Sequence, residues 1–165
     1  MHRSTAPAPV SGRRTSSSAD ETRALGSRLG VAAVPGSFVA LSGPLGAGKT
    51  QLAKGLAEGL GVTGVVNSPT FVLMNEHAGR LRLFHVDAYR LGEPEEAIAA
   101  GLLDDRQASG VTVLEWADRL DGWLPDERLD ITLSLDPASE DRRLVAWEAR
   151  GALHERLARE ALGAS

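Results

Sequence analysis

The stretch GPLGAGKT, residues 43–50, decides the fold of this chain. It matches the phosphate-binding pattern G-x-x-x-x-G-K-[ST] at every fixed position. A short apolar run of strand-forming residues, SFVALS (37–42), enters the loop, and from Lys49 the apolar residues recur with helical spacing. A buried strand that leads through a glycine-rich turn into a helix is the setting in which this motif folds as a P-loop. The sequence therefore predicts an α/β fold, a single-domain P-loop NTPase with a mixed central sheet flanked by helices.

Each residue type in the loop has its own physical role. Gly46 and Gly48 lack a Cβ, so the backbone can curl tightly and direct its N–H groups at an anion. The helix that begins near Lys49 adds the positive end of its dipole. The Lys49 ammonium suits the β- and γ-phosphates, and the Thr50 hydroxyl is a hard oxygen ligand for Mg²⁺. The alternative, a glycine-rich turn that binds nothing, gives no reason for Lys and Thr at the helix start.

The composition excludes several classes of protein. The 165 residues, 42% of them hydrophobic, can form the core of one domain but hardly of two. A formal net charge of −4, from 18 Lys+Arg and 22 Asp+Glu, disfavours an autonomous nucleic-acid binder. The absence of cysteine excludes disulfide scaffolds, Cys-ligated metals and Cys nucleophiles. No apolar stretch approaches the roughly 20 residues of a membrane helix and no secretory signal is evident, so the expected compartment is the cytoplasm.

Residues 1–17 have the composition of a disordered tail, and the ordered P-loop ATPase domain is expected over residues 18–165. The tail has no apolar period and carries three Arg and no acid, so a docking arm for an acidic partner is the alternative. Order is predicted to begin at Ser18, which forms a capping box with the Glu three residues later. The helix that follows should end near Leu29.

The remaining elements follow from the spacing of apolar and turn residues. We predict, in chain order, a hairpin of extended segments over 65–76 and 80–89, a helix from Pro94, a buried strand at 111–116, an antiparallel strand pair at 129–135 and 143–149, and a final helix from about Ala152 to Leu162.

Four residues near predicted strand ends are candidates for completing a nucleotide site, because open α/β sheets bind ligands at the carboxyl ends of their strands. Glu115 ends an apolar strand and would supply a carboxylate for Mg²⁺; a solvated strand end is the alternative. Asp87 ends the strand RLRLFHV, where an ion pair with a neighbouring arginine is the alternative. Thr70 offers a hydroxyl to the γ-phosphate or is an ordinary turn residue. Trp116 lies against an adenine ring or packs in the core.

Taken together, these motifs resemble the TsaE (YjeE) family over roughly residues 18–151. The matching motifs are, in order, T-x-x-L-G at 22–26, LGAGKT at 45–50, SPTF at 68–71, H-x-D-x-Y-R at 85–90, LEW at 114–116 and Leu124-Pro125 before an LDI strand. Their order and spacing in so short a chain carry the resemblance, since each motif other than the P-loop is weak alone.

The resemblance implies a set of site residues. It implies nucleotide-binding residues Gly46, Ala47, Gly48, Lys49, Thr50, Gln51 and Trp116, with Ala19 and Thr22 approaching the base. It implies Mg²⁺ ligands Thr50 and Glu115, and catalytic residues Asp87, Thr70 and Glu115.

The resemblance also implies an activity. Family members are Mg²⁺-dependent ATPases that bind ATP or ADP and belong to the bacterial machinery that makes threonylcarbamoyladenosine at position 37 (t6A37) of tRNA. They act with TsaB and TsaD; TsaD transfers the threonylcarbamoyl group, and ATP hydrolysis on TsaE resets the complex between cycles. Hydrolysis is then expected to be slow for the isolated chain and faster with its partners, with contact to tRNA only indirect and none to a membrane.

The sequence shows one departure from the family pattern, and three rival functions are open. The family's loop usually reads GDLGAGKT, and Pro44 replaces the Asp, which removes a carboxylate and a backbone N–H. A small P-loop kinase that phosphorylates a metabolite is the alternative function, although no arginine-rich lid is evident before Glu115. A regulatory GTPase is disfavoured because the guanine-reading NKxD motif is absent. The third rival is a binding module whose P-loop no longer hydrolyses, against which the joint presence of Thr50 and Glu115 argues.

Overall fold

The computed structural model describes residues 10–64, 66, 74–89 and 105–163, and within these ranges seven strands form one mixed sheet. In chain order the strands are β1 (Val10–Ser16), β2 (Phe38–Ser42), β3 (Met74–His77), β4 (Leu83–Asp87), β5 (Val111–Glu115), β6 (Arg128–Asp136) and β7 (Ser139–Arg150). Their order across the sheet is β1-β7-β6-β2-β5-β4-β3. β2 pairs in parallel with β5 and β6, and β4 with β5, whereas β3, β7 and β1 each pair antiparallel. The predicted α/β fold with a mixed central sheet is confirmed.

Three α-helices within the described ranges pack on one face of the sheet. They are α1 (Ala19–Ala32), α2 (Lys49–Gly59) and α3 (Ala152–Leu162), and their apolar residues share one buried core with the sheet. A smaller core lies on the other face under the 3₁₀ helix Ala117–Leu120. A second 3₁₀ helix, Asp105–Ser109, precedes β5. No helix among the described residues has the length and apolar character needed to cross a membrane.

The sequence pattern located most of these elements. Ser18 caps α1 by accepting a hydrogen bond from the Glu21 N–H, and Glu21 in turn accepts one from the Ser17 N–H. The strands predicted at 37–42, 111–116, 129–135 and 143–149 are present, as is the helix from Ala152. β3 and β4 form the predicted hairpin, but residues 65 and 67–73 of its first predicted segment lie outside the described residues. The helix predicted from Pro94 lies outside the described residues.

The prediction that residues 1–17 form a disordered tail is wrong for residues 10–16. These residues form β1, which pairs antiparallel with β7 from Val10 opposite Ala149 to Ser16 opposite Arg143. Backbone hydrogen bonds to a long neighbouring strand need no apolar period, so the polar composition concealed this strand. Gly12 lies against the ring of Trp147, where the space is too small for a Cβ. Residues 1–9 lie outside the described residues.

Helices α1 and α2 touch through their backbones. Gly26 and Gly30 on α1, and Gly55 and Gly59 on α2, each face the backbone of the other helix so closely that a Cβ could not fit. Because α2 begins at Lys49, this contact fixes the helix that carries the phosphate-binding residues. We call these four residues the glycine seam.

Candidate functional site

The loop between β2 and α2 has the backbone of an anion-binding site. Gly43, Gly46 and Gly48 have φ values of 142°, 81° and 104°, which side-chain-bearing residues rarely adopt. Gly48 is also the N-cap of α2, and no side chain caps this helix end. The first-turn N–H groups of α2 therefore point into the loop with the positive end of the helix dipole behind them.

The ammonium of Lys49 lies inside the loop. Lys49 is only 4% exposed, and its Nζ donates to the carbonyl oxygens of Gly43 at 2.6 Å and Pro44 at 2.8 Å. Burial lowers the pKa of Lys49, and nearby carboxylates, Glu115 above all, oppose this. A cation desolvated and held by neutral carbonyl oxygens is placed to gain strongly from a polyphosphate.

Thr50 and Glu115 meet across the gap between α2 and β5. The Thr50 hydroxyl donates to Glu115 Oε1 at 2.9 Å, and the carboxylate is 2% exposed. Two ligands on adjacent corners of a Mg²⁺ octahedron with bonds of about 2.1 Å stand about 3.0 Å apart. The hydroxyl and carboxylate oxygens are both hard ligands, so this pair fits Mg²⁺, with phosphate and water oxygens left to complete the shell.

Asp87 stands beside Glu115, because these two residues are paired in the parallel register of β4 and β5. Its Oδ1 accepts the Tyr89 N–H at 2.8 Å. Burial raises the pKa of Asp87; the Tyr89 N–H opposes this, and the charge of Glu115 reinforces it. Asp87 has a raised pKa and stands beside the carboxylate that fits Mg²⁺, so it is suited to accept a proton from water.

Trp116 covers the lysine. Its indole ring centroid lies 3.8 Å from Lys49 Nζ and 4.8 Å from the ring centroid of Tyr89, on which the Arg119 guanidinium lies at 5.5 Å. Trp116 has φ 60° and ψ 42°, the left-handed region that costs a bulky residue about 1–3 kcal/mol. The backbone is thus bent so that the indole faces the phosphate loop; its predicted contact with adenine stays a prediction.

The other predicted nucleotide contacts are distributed around the loop. Thr22 is buried: its hydroxyl lies 2.7 Å from the Ser16 hydroxyl, and its methyl lies 3.5 Å from where a Cβ on Gly48 would stand. Ala19, the first residue of α1, is exposed, and Gln51 in the first turn of α2 is half-buried. Ala47 is fully buried, and its N–H donates to the Pro44 carbonyl oxygen at 3.1 Å. Thr70 lies outside the described residues.

Two residues at the site were missed by the sequence analysis. His85 Nε2 lies 2.6 Å from Glu115 Oε2 with both side chains buried, and a polar residue inside the apolar strand LFHV was the available signal. Arg143 on β7 donates to the Gly46 carbonyl oxygen at 3.3 Å. It lines a cleft of about 580 Å³ between the loop and the β6–β7 turn. No local signal in the sequence pointed to Arg143, which is brought to the loop by the pairing of distant strands.

This arrangement combines an anion-binding loop, a buried ammonium, a hydroxyl–carboxylate pair and a carboxyl of raised pKa within one edge of the sheet. All four lie where the parallel strands β2, β4 and β5 end, the edge at which such sheets bind ligands. The chemistry available is binding of a nucleoside polyphosphate with a divalent cation, and activation of a water beside its terminal phosphate.

Known proteins are similar to this chain in sequence and in fold. The family model described as "Threonylcarbamoyl adenosine biosynthesis protein TsaE" matches residues 16–144. The chain is 41% identical over 142 residues to the tRNA threonylcarbamoyladenosine biosynthesis protein TsaE of Bacillus subtilis, covering 86% of this chain and 87% of that one. It is 44% identical over 138 residues to the protein of the same description from Mycobacterium leprae, covering 78% and 85%. The crystal structure of Bacillus subtilis YdiB aligns with a TM-score of 0.77 at 32% identity, covering 95% of this chain and 97% of that one.

Proposed function

Since this chain belongs to the TsaE family of threonylcarbamoyl adenosine biosynthesis proteins, we propose that it serves tRNA t6A37 formation as a Mg²⁺-dependent ATPase. Membership of the family supports the assignment to this pathway. The ATPase role rests on the geometry of the phosphate loop and its neighbours. It is a subunit of the machinery and not itself the threonylcarbamoyl transferase.

The single observation that supports this function best is the 2.9 Å contact between Thr50 Oγ1 and Glu115 Oε1 beside the Lys49 ammonium. The two oxygens come from residues 65 positions apart, on α2 and β5. A loop that served only as a structural turn would not require a buried carboxylate beside Thr50, because burying a charge costs free energy unless the charge has partners.

In this proposal each residue has a defined task during ATP hydrolysis. The backbone N–H groups of residues 46–50 and the Lys49 ammonium would hold the ATP phosphates. Thr50 and Glu115 would hold Mg²⁺, which when bound would supply positive charge beside the phosphate oxygens. Asp87 accepts the proton of the attacking water, since its pKa is already raised. Thr70 contributes its hydroxyl near the γ-phosphate. Trp116 lies near the nucleotide.

Partners complete the proposed function. The chain acts with TsaB and TsaD homologues, and ATP hydrolysis resets their complex between catalytic cycles. The strongly basic face that binding to tRNA would require is not favoured by a net charge of −4, so contact with tRNA stays indirect.

Calorimetric titration of ATP with and without Mg²⁺ tests the site. We expect Glu115→Gln to remove most of the Mg²⁺-dependent gain in ATP affinity and to leave binding without Mg²⁺ nearly unchanged. Glu127→Gln, an exposed carboxylate before β6 and so at the opposite edge of the sheet, is the matched control and should behave as wild type. Phosphate release should be slow for the isolated chain and rise when TsaB and TsaD homologues are added. Efficient transfer of the phosphate to a metabolite without partners would instead support the kinase.

A further inference from the structure

We infer that His85 is a positioning residue, whose Nε2–H fixes the Glu115 carboxylate so that its other oxygen is presented to Thr50 and the metal. The inference rests on the proposed function, because it assigns a task to a residue behind the Mg²⁺ ligand. It extends the site by one layer, from β5 to the neighbouring strand β4.

Each of the two oxygens of the Glu115 carboxylate contacts a neighbour among the described residues. Oε2 lies 2.6 Å from His85 Nε2, and Oε1 accepts the Thr50 hydroxyl at 2.9 Å. A carboxylate at the end of a flexible side chain rotates freely about its last bond unless one oxygen is held. The contact with His85 holds Oε2, and Oε1 therefore stays directed at Thr50. Metal sites commonly orient their ligands through such outer hydrogen bonds.

The tautomer of His85 follows from its surroundings. The ring is 0% exposed, and its Nδ1 has no hydrogen-bond partner among the described residues. A proton on Nδ1 would leave a buried donor unpaired and would set the Nε2 lone pair against a carboxylate oxygen, which is doubly unfavourable. A proton on Nε2 makes the 2.6 Å contact a hydrogen bond with a charged acceptor.

Stability alone does not account for this pair. His85 lies in β4 between Phe84 and Val86, both buried, and an apolar side chain at position 85 would complete the strand. Replacing a buried polar pair with apolar residues is often neutral or stabilising. The buried contact between His85 and Glu115 is therefore better explained by the orientation that His85 imposes on the Glu115 carboxylate.

The test compares the Mg²⁺ dependence of ATP binding in His85→Leu, His85→Gln and wild type. We expect His85→Leu to raise, by about 10- to 100-fold, the Mg²⁺ concentration at which half of the Mg²⁺-dependent gain in ATP affinity is reached. This is the range in which metal affinity falls when a residue that orients a metal ligand is lost. Affinity for ATP without Mg²⁺ should stay within about twofold, because the hydrogen bond described for His85 is to Glu115 and not to a phosphate-binding residue. His85→Gln, whose amide N–H can donate to the same oxygen, should recover most of the loss. His77→Leu, in the partner strand of the same hairpin, is the matched control and should leave the titration unchanged.

The outcomes separate this inference from the proposed function. If Glu115→Gln abolishes the Mg²⁺ dependence while His85→Leu leaves it intact, His85 has no positioning role and the proposed site stands. If neither variant changes the Mg²⁺ dependence of ATP binding, the metal site is misassigned and the inference about His85 fails together with the proposed site. Should His85→Leu fail to fold by circular dichroism, ¹⁵N-histidine NMR of the wild-type chain decides: an Nε2–H tautomer supports the inference, and an Nδ1–H tautomer overturns it.

Discussion

Gly55 lies within α2 at the glycine seam, and the Gly55→Ala variant tests how firmly that helix is seated. In an exposed helix this change stabilises by about 0.5–1 kcal/mol, because alanine is the better helix former. Here a Cβ would overlap the carbonyl oxygen of Arg23 and lie 2.8 Å from its carbonyl carbon and 3.0 Å from the Ser27 nitrogen. These atoms belong to the backbone of α1 and cannot rotate away.

Relief of the overlap requires the two helices to separate. Ordinary contact begins at 3.4 Å, so the carbonyl carbon alone demands a shift of 3.4 − 2.8 = 0.6 Å, and the oxygen demands more. A gap of about 0.5–1 Å forfeits a quarter to a half of the dispersion energy between facing atoms. Overpacking of this kind costs about 1–3 kcal/mol. A mid-range cost of about 2 kcal/mol, less the roughly 0.5–1 kcal/mol gained from the better helix former, leaves a net loss of about 1–1.5 kcal/mol, which lowers Tm by about 2–6 °C in a chain of this size.

Thermal unfolding followed by circular dichroism measures this loss. Lys54→Ala, one position earlier on α2, is the control and should change stability by no more than about 0.5 kcal/mol. Because Lys49 and Thr50 lie in the first turn of α2, the Gly55→Ala variant should also bind ATP more weakly in a calorimetric titration at a temperature where it is folded. A Tm for Gly55→Ala that equals or exceeds the wild-type value would refute the backbone contact between α1 and α2.

Three further changes give distinct expectations. Lys49→Ala should weaken ATP binding by about two orders of magnitude, since a charged group that bonds to phosphate contributes about 1.5–3 kcal/mol; an unaltered calorimetric affinity would contradict its place in the loop. Asp87→Asn should raise Tm at pH 7 while phosphate release falls, because burial raises the pKa of Asp87 and its ionised form therefore costs stability at neutral pH. Neutral His154 accepts the Phe38 N–H at its Nε2 at 3.0 Å, and burial lowers the pKa of His154. The stability that His154 contributes is therefore present above the pKa of an unfolded histidine, about 6.5, and is lost as the pH falls below that value. His154→Gln, which retains an acceptor, should flatten the fall in Tm between about pH 7 and 5, and an unchanged slope would exclude His154 as its source.

Much of the site could be predicted because its determinants are local. The strand, loop and helix over residues 37–59 follow from glycines, Lys and Thr at fixed spacing and from the apolar period on either side. Glu115 was predicted from its place at the end of an apolar strand, and the structure brings it to Thr50. Its partner His85 was missed, because a polar residue in a strand gives no indication of which neighbour it faces.

The sequence by itself determined the local conformations: the capped start of α1, the phosphate loop, the alternating strands and the final helix, each set by interactions within a few residues. Only the tertiary structure decided the relations between distant segments. β1 exists because its backbone groups pair with β7, the glycine seam because two helices meet, and the Arg143–Gly46 contact because β7 passes the loop. The physical reason is that backbone hydrogen bonding and close packing depend on which surfaces meet, and strand register and helix contact are settled by the whole fold at once.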